Sequence, residues 1–229
     1  MQNRYKLACL AILSSLPACD QATNSYFPLE PGLTRAYLIK RTIANEPVLQ
    51  KQIITGLAET NINGHAVHPQ KYANGAIYYY TGTPEGIKLV NPETSEEDIV
   101  LRFPLVAGTR WQQRTHIHLL DIYLPSSSDD APPARLDSEI VLASWIESNN
   151  ETVSVPAGTY TQCIKVSAAG KARVNQRLLG IRTVHVKQSE WYAPGVGLIK
   201  RIRVEATEPA EFREEYTQVL ENLYTSRYE

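Results

Sequence analysis

The sequence predicts an all-β fold, an antiparallel sheet curled strongly into an incompletely closed barrel, and two observations carry that expectation. Segments of about 6 to 10 residues rich in β-branched and aromatic side chains alternate with Pro, Gly, Asn and Ser turn signals at short intervals, the pattern of successive hairpins. Two local phrases also recur in the same order. Phe27-Pro28-Leu29 with Gly32 returns as Phe103-Pro104-Leu105 with Gly108, and Tyr79-Tyr80 with Pro84 and Gly86 returns as Trp191-Tyr192 with Pro194, Gly195 and Gly197. Proline fixes φ and removes a ladder donor while glycine permits the turn, so each first phrase reads as an apolar plug, a turn and a strand. Each second phrase reads as an aromatic strand end, a turn and a return strand. The recurrence divides one β domain over 26–229 into two related halves, about 26–101 and 102–229.

Ahead of that domain, Arg4 and Lys6 make a short basic segment and Leu7 to Leu16 an apolar run, the layout of a secretory signal. A membrane span needs about 20 predominantly apolar residues and this run has about half that, so it is a signal and not an anchor. Leu16-Pro17-Ala18-Cys19 closes it and resembles the lipobox of bacterial lipoprotein precursors, with Pro17 the one departure from the usual pattern. The resemblance implies residues 1–18 as a signal peptide cut between Ala18 and Cys19. It also implies a diacylglyceryl thioether and an N-acyl group on Cys19. A thiolate is the nucleophile that can accept such a lipid, and more than one chain is needed for stable anchoring. Residues 19–25 then form a lipidated polar tether. Asp20, directly after the cysteine, matches the enterobacterial rule for retention at the inner membrane; where that rule does not apply, the outer membrane is expected.

Within the domain, Ala36 to Ile39 and Gln52 to Ala58 lean to strand, and Asn63-Gly64 is a hairpin turn leading into Ala66-Val67. Ala76 to Tyr80 is an aromatic strand, and Trp111 to Leu124 is long enough for an extended one. Ser126 to Pro133 is a loop by composition. Glu139 to Glu147 and Glu151 to Val155 follow as separate strands, Pro156-Ala157-Gly158 as a turn, and Tyr160 to Val166, Arg182 to Tyr192 and Leu198 to Ala206 as the closing series. Over 212–224 two periods compete. Phe212, Tyr216, Val219 and Leu223 fall at helical spacing, while Tyr216, Leu220 and Tyr224 fit one face of a strand, which is the favoured reading.

Composition narrows the function by exclusion. The whole chain carries a net charge of −1, and losing Arg4 and Lys6 with the leader brings it to about −3, which asks for no nucleic acid. Of three cysteines, Cys9 leaves with the leader and Cys19 takes the lipid, so Cys163 stands alone as a small buried hydrophobe and no internal disulfide is available. His116 and His118 share one face of a strand, half of a zinc site, without a third ligand at suitable spacing, so no metal is expected. No Gly-x-Ser-x-Gly elbow and no phosphate-cradling loop occurs. Glu96-Glu97-Asp98 reads as a solvated acidic loop, and Arg201 and Arg203, alternating with Ile202 and Val204, read as the wet face of a strand. The thirteen tyrosines, with the run Tyr78-Tyr79-Tyr80, fit β-sheet composition or the lining of a groove.

The lipobox, the Phe-Pro-Leu-x-x-Gly phrase, Thr152-Val153-Ser154-Val155-Pro156-Ala157-Gly158-Thr159-Tyr160 and Trp191-Tyr192-Ala193-Pro194-Gly195-Val196-Gly197-Leu198 together resemble a group of β-rich bacterial envelope lipoproteins of unassigned activity. In that group a Trp usually follows the first motif's Gly by three residues; here that position is Arg35. The resemblance implies a membrane-anchored, periplasm-facing protein without a cofactor. The expected role is an accessory or binding module with an envelope protein partner. One alternative is a carrier of a hydrophobic ligand in the hollow of the half-barrel, and another is a hydrolase with an unrecognised site; no catalytic residue stands out.

Overall fold

The computed structural model describes residues 26–43, 46–119, 139–176 and 180–225. Residues 1–25, with Ala18 and Cys19, and the composition-derived loop at 126–133 lie outside the described residues. Among those described, every regular element is a strand: β1 (Leu33–Ile43), β2 (Glu46–Gly56), β3 (Thr60–Ile62), β4 (His65–Tyr72), β5 (Ile77–Thr83), β6 (Gly86–Val90), β7 (Glu97–Arg102), β8 (Arg110–His116), β9 (Glu139–Val155), β10 (Gly158–Gln176), β11 (Gly180–Ala193), β12 (Gly197–Glu208) and β13 (Arg213–Thr225).

All pairings are antiparallel and the order is β7-β6-β5-β4-β2-β1-β13-β12-β11-β10-β9-β8, with β3 paired to β4 off this path. The chain is therefore a meander whose last strand returns to pair with its first, Leu38 opposite Val219 and Ile39 opposite Gln218. That return closes the sheet everywhere except between β7 and β8, consecutive strands that share no ladder. Across this seam Arg114 of β8 reaches Asp98 of β7 (Nε to Oδ1, 2.9 Å) and Glu96 (3.7 Å). The result is an all-β, nearly closed barrel with one unsealed seam, as the sequence predicts. Glu97 and Asp98 stand in β7 and pair with Lys88 and Arg114, so two of the three acidic residues belong to a strand, while Glu96 stays in the exposed loop before it.

Both copies of the Phe-Pro-Leu phrase turn inward. Phe27 sits 5.0 Å from the ring of Tyr80 and 6.4 Å from that of Tyr192, and Leu29, Phe103, Leu105 and Trp111 join the same apolar cluster with Ile87, Leu101 and Leu198. The second copy is fastened to β9 by Gly108 N–H to Ile146 O and Ile146 N–H to Thr109 O, each 2.9 Å. Counted along the sheet path from each plug, the hairpins β5–β6 and β11–β12 that carry the second phrase hold the same position. Gly86 opens β6 at φ 148°, and a Cβ there would lie 2.1 Å from Leu101 O, so a side chain would push β6 off β7.

Three expectations on element length need correcting. The extended strand expected over 111–124 ends as β8 at His116, with residues 117–119 outside any strand. Residues 139–155 form one strand of 17 residues, not two, and β10 runs to 19, well past Val166. Register shifts between Tyr160 and Val166 supply the bends, since a bulge turns a strand without ending it. The segment over 212–224 is strand from Arg213 onward, the reading the sequence favours. Its helical spacing is accidental: Phe212 packs against the cluster around Ile117, while Val219 and Leu220 point to opposite faces of β13. Cys163 is fully buried, and burial raises its thiol pKa, as befits a packing residue.

Candidate functional site

Cross-strand register builds a belt of polar side chains on the inner face of β11, β12, β13, β1 and β2. One rung of the ladder sets Glu190 opposite Arg201, Arg201 opposite Gln218, Gln218 opposite Ile39, and Ile39 opposite Gln50. The next sets Gln188, Arg203, Tyr216 and Arg41 side by side. A third places Glu205 directly opposite Glu214. Because side chains alternate faces along a strand, Arg201, Arg203 and Glu205 project inward together while Ile202 and Val204 point outward.

Each arginine in the belt finds a carboxylate. Arg201 Nε and Nη2 both lie 2.6 Å from Glu190 Oε1, and Glu190 Oε2 accepts the Tyr192 hydroxyl at 2.9 Å. Arg41 Nε and Nη2 both lie 2.6 Å from Glu214 Oε1. Arg203 Nε donates to Glu205 Oε1 at 2.6 Å, its Nη1 to Gln188 Oε1 at 3.1 Å and its Nη2 to the His116 carbonyl at 2.6 Å. Glu205 Oε2 accepts the backbone N–H groups of His118 and Leu119, each at 2.8 Å. The Arg203–Glu205 pair thus ties the segment after β8 across the barrel interior, where Ile117 and Leu119 bury into a second apolar cluster with Ile140, Leu142, Val184 and Val186.

Between the belt and the facing strands lies a cavity of about 540 Å³, whose wall combines Arg41, Arg201 and Arg203 and the carboxylates of Glu205 and Glu214 with Gln50, Gln52, Gln113, Gln188, Asn74 and the rings of Tyr72, Tyr78 and Tyr216. That size falls in the range of small-molecule sites, about 300–1,000 Å³. Tyr78 and Asn74 are exposed, so the cavity opens to solvent past β5. Tyr72 and Tyr78 meet edge to face with centroids 4.8 Å apart. Gln218 links the wall, accepting from Tyr216 at 2.9 Å and donating to Gln52 Oε1 at 3.3 Å.

The electrostatics follow from burial and pairing. Burial works against the Arg201 charge, but the neighbouring Glu190 carboxylate, with Tyr216, Tyr192 and Tyr72, more than offsets it, so its pKa lies above the ordinary guanidinium value. Burial raises the phenol pKa of Tyr72 and Tyr216, and Arg201 partly opposes it in both. Tyr192 is raised further, by burial first and then by Glu190. Arg201 therefore stays charged and Tyr72, Tyr192 and Tyr216 stay neutral phenols throughout the physiological range.

This site corrects two sequence expectations. Arg201 and Arg203 are not the wet face of a strand but the interior of a barrel, with Arg203 buried. Nor is this cavity the apolar hollow expected of a half-barrel: among the described residues the apolar side chains pack on one another in clusters, and the cavity is walled largely by charge and amide. Of the tyrosine run, Tyr78 lines the cavity and Tyr80 belongs to the apolar plug. His116 ends β8 and His118 lies beyond it, and among the described residues no three of His, Cys, Asp and Glu gather as metal ligands.

A model of the family described as DUF3108-like matches residues 147–206, from the second half of β9 into β12, a stretch that includes Gln188, Glu190, Arg201, Arg203 and Glu205. No curated protein matches the chain. A solved structure from Bacteroides fragilis, of a protein assigned as exported and with a YmcC-like fold, aligns at 13% identity and TM-score 0.44 over 86% of this chain and 97% of its own. Another from Parabacteroides distasonis, of a protein assigned as a lipoprotein, aligns at 16% identity and TM-score 0.41 over 87% and 98%.

Proposed function

We propose that the chain is a binding module of the bacterial envelope, anchored through a lipidated Cys19 and facing the periplasm, whose barrel takes a polar small molecule into the belt cavity. The observation that carries this reading is the cavity of about 540 Å³, open to solvent and walled by guanidinium, carboxylate, amide and phenol groups. A packed barrel kept only for stability gains nothing from a void lined with polar atoms, since such groups lose water and find imperfect partners. An acyl chain would desolvate those groups without replacing their hydrogen bonds, so a carrier of hydrophobic ligands is disfavoured. Anchorage is supported by the layout of residues 1–19, and Asp20 favours the inner membrane where the enterobacterial rule holds.

Two measurements test the two parts. Cys19→Ala moves the protein from the membrane to the soluble fraction or accumulates an uncut precursor, and unchanged partitioning with normal processing defeats the anchor. For the cavity, a thermal-shift screen of the purified full chain against polar metabolites returns compounds that raise the melting temperature by several degrees. Such a shift follows from a ligand at about 100 times its dissociation constant, which stabilises by about 2.7 kcal/mol. A phospholipid that co-purifies and protects the interior, with no polar ligand found, would overturn this part.

A further inference from the structure

The belt does not show its two signs of charge equally. The Arg41 side chain is 28% exposed and its partner Glu214 4%, and Arg201 is 32% exposed while Glu190 is 3%. The third pair also borders the cavity but is nearly covered, at 7% for Arg203 and 3% for Glu205, and is occupied in tying down His118 and Leu119. Glu214 reaches the cavity wall beside Arg41 while Glu190 does not, and in both pairs the guanidinium is the more exposed partner, so the two ion pairs show the cavity more guanidinium than carboxylate. Arg41 on β1 and Arg201 on β12 flank β13, so Tyr216 and Gln218 lie between them, and the amides of Gln50 and Gln52 complete a wall rich in N–H and O–H donors.

We propose that this cavity binds an oxyanion, a carboxylate or phosphate group of a small molecule, held between Arg41 and Arg201 beside Tyr216. The inference rests on the binding-module reading above and names its ligand class. A guanidinium presents donors in a planar fork that matches a carboxylate or phosphate, and hydrogen bonds between ionised partners are about twice as strong as neutral ones. The paired glutamates moderate the attraction, so a bound anion shares each arginine with its resident glutamate. The rings of Tyr72 and Tyr78 near the mouth give the remainder of the ligand a flat surface.

The sharing fixes the sign of a mutational test. Glu214 Oε2 has no hydrogen-bond partner among the described residues, so Glu214→Gln removes charge at little structural cost and leaves Arg41 free to bind the ligand alone. In the purified full chain, galacturonate and inorganic phosphate raise the melting temperature while galactose, the neutral counterpart, does not. Glu214→Gln tightens galacturonate binding about tenfold, and the double change Arg41→Gln with Glu214→Gln weakens it about tenfold relative to the native chain, the size of one charged hydrogen bond. Lys40→Gln, on the outer face of the same strand, leaves it unchanged.

Binding of glycerophosphoglycerol as tight as that of dihexanoyl phosphatidylglycerol marks a soluble ligand, and binding of the lipid alone marks a headgroup source; either supports the oxyanion site. The inference is overturned if galactose binds as well as galacturonate, if Glu214→Gln weakens or does not alter binding, or if Lys40→Gln costs as much as the double change. In the first case the binding module stands and only its ligand class falls. If no polar compound of any charge binds, both readings fall.

Discussion

The plug around Phe27 and the belt around Arg201 share β11 and β12, and they differ in what they leave behind. In the plug, Phe27, Tyr80, Trp111, Tyr192, Ile87 and Leu101 fill their space with one another. Burying each such apolar side chain is worth about 1.5–3 kcal/mol, so the plug supplies cohesion. In the belt, Arg41, Arg201 and Arg203 with their glutamates leave a cavity of about 540 Å³ beside them. Ion pairs removed from water gain roughly what they lose, so the belt contributes little to stability. The difference teaches a division of labour along one barrel: aromatic packing holds the strands, and a register of paired charges holds a space open.

The sharpest way to break that comparison is to remove a member from each side. Phe27→Ala costs about 3–5 kcal/mol, because the rings of Tyr80 and Tyr192 cannot both collapse into the void. Exchanging Arg41 and Glu214 together for Met and Leu, of similar volume and without charge, changes stability by about 1 kcal/mol or less, or raises it. Urea unfolding of the two variants decides. A paired exchange as costly as Phe27→Ala would make the belt structural, and the division of labour would be gone.

How much of this was legible beforehand depends on what each feature needs. Turns are local, so Asn63-Gly64, Pro156-Ala157-Gly158 and Pro194-Gly195 fall where the sequence puts them. The belt is not local. Alternation of Arg201 and Arg203 with Ile202 and Val204 gives the period of a strand but not which face is inside, and in an isolated strand the charged face goes to water. Here the neighbours decide: Glu190 one strand away and Glu214 on the other side turn the charged face into an interior one. The available signal was charge complementarity across three strands, Glu190 and Gln188 against Arg201 and Arg203 against Tyr216 and Gln218, which is readable only once the register is known. The long strands escaped for a related reason, since the bulges in β10 that let them continue leave no turn residue behind.

Next in size is an alkaline effect where plug and belt adjoin. Tyr37 is buried, its hydroxyl donating to Leu198 O at 2.9 Å, and burial pushes its pKa up from 10.0 to about 12. A phenol whose folded-state pKa is raised stabilises the fold fully below the unfolded value, and that contribution drains away as pH climbs from 10 toward 12. The loss amounts to on the order of 2–3 kcal/mol by the end of that window. Tyr80 and Tyr192, raised by the same burial, add to it with the same sign. Tyr37→Phe keeps the ring and removes the titration, so its stability falls less steeply between pH 9 and pH 11 than that of the native chain. Parallel curves for the two would show that Tyr37 ionises freely in the fold.

The smallest effect concerns the seam, where neither plug nor belt reaches. Along the rest of the sheet path each strand is held by backbone ladders on both sides, whereas β7 and β8 face each other with Arg114, Asp98 and Glu96 between them and no ladder. Ion pairs between exposed side chains add little to global stability, so Asp98→Asn leaves the melting temperature where it was. Hydrogen exchange is the measurement that sees the seam, because it reports local opening and not only global unfolding. The seam-facing amides of β7 and β8 exchange fastest among the strands and those of β10 and β11 slowest, and Asp98→Asn speeds exchange in β8 alone. Gln113 and Thr115 of that same strand line the cavity, so the least protected edge of the sheet is also one of its walls. Protection of β8 equal to that of β10 would mean that a ladder closes the barrel there, and the cavity would then have a continuous wall instead of a parted one.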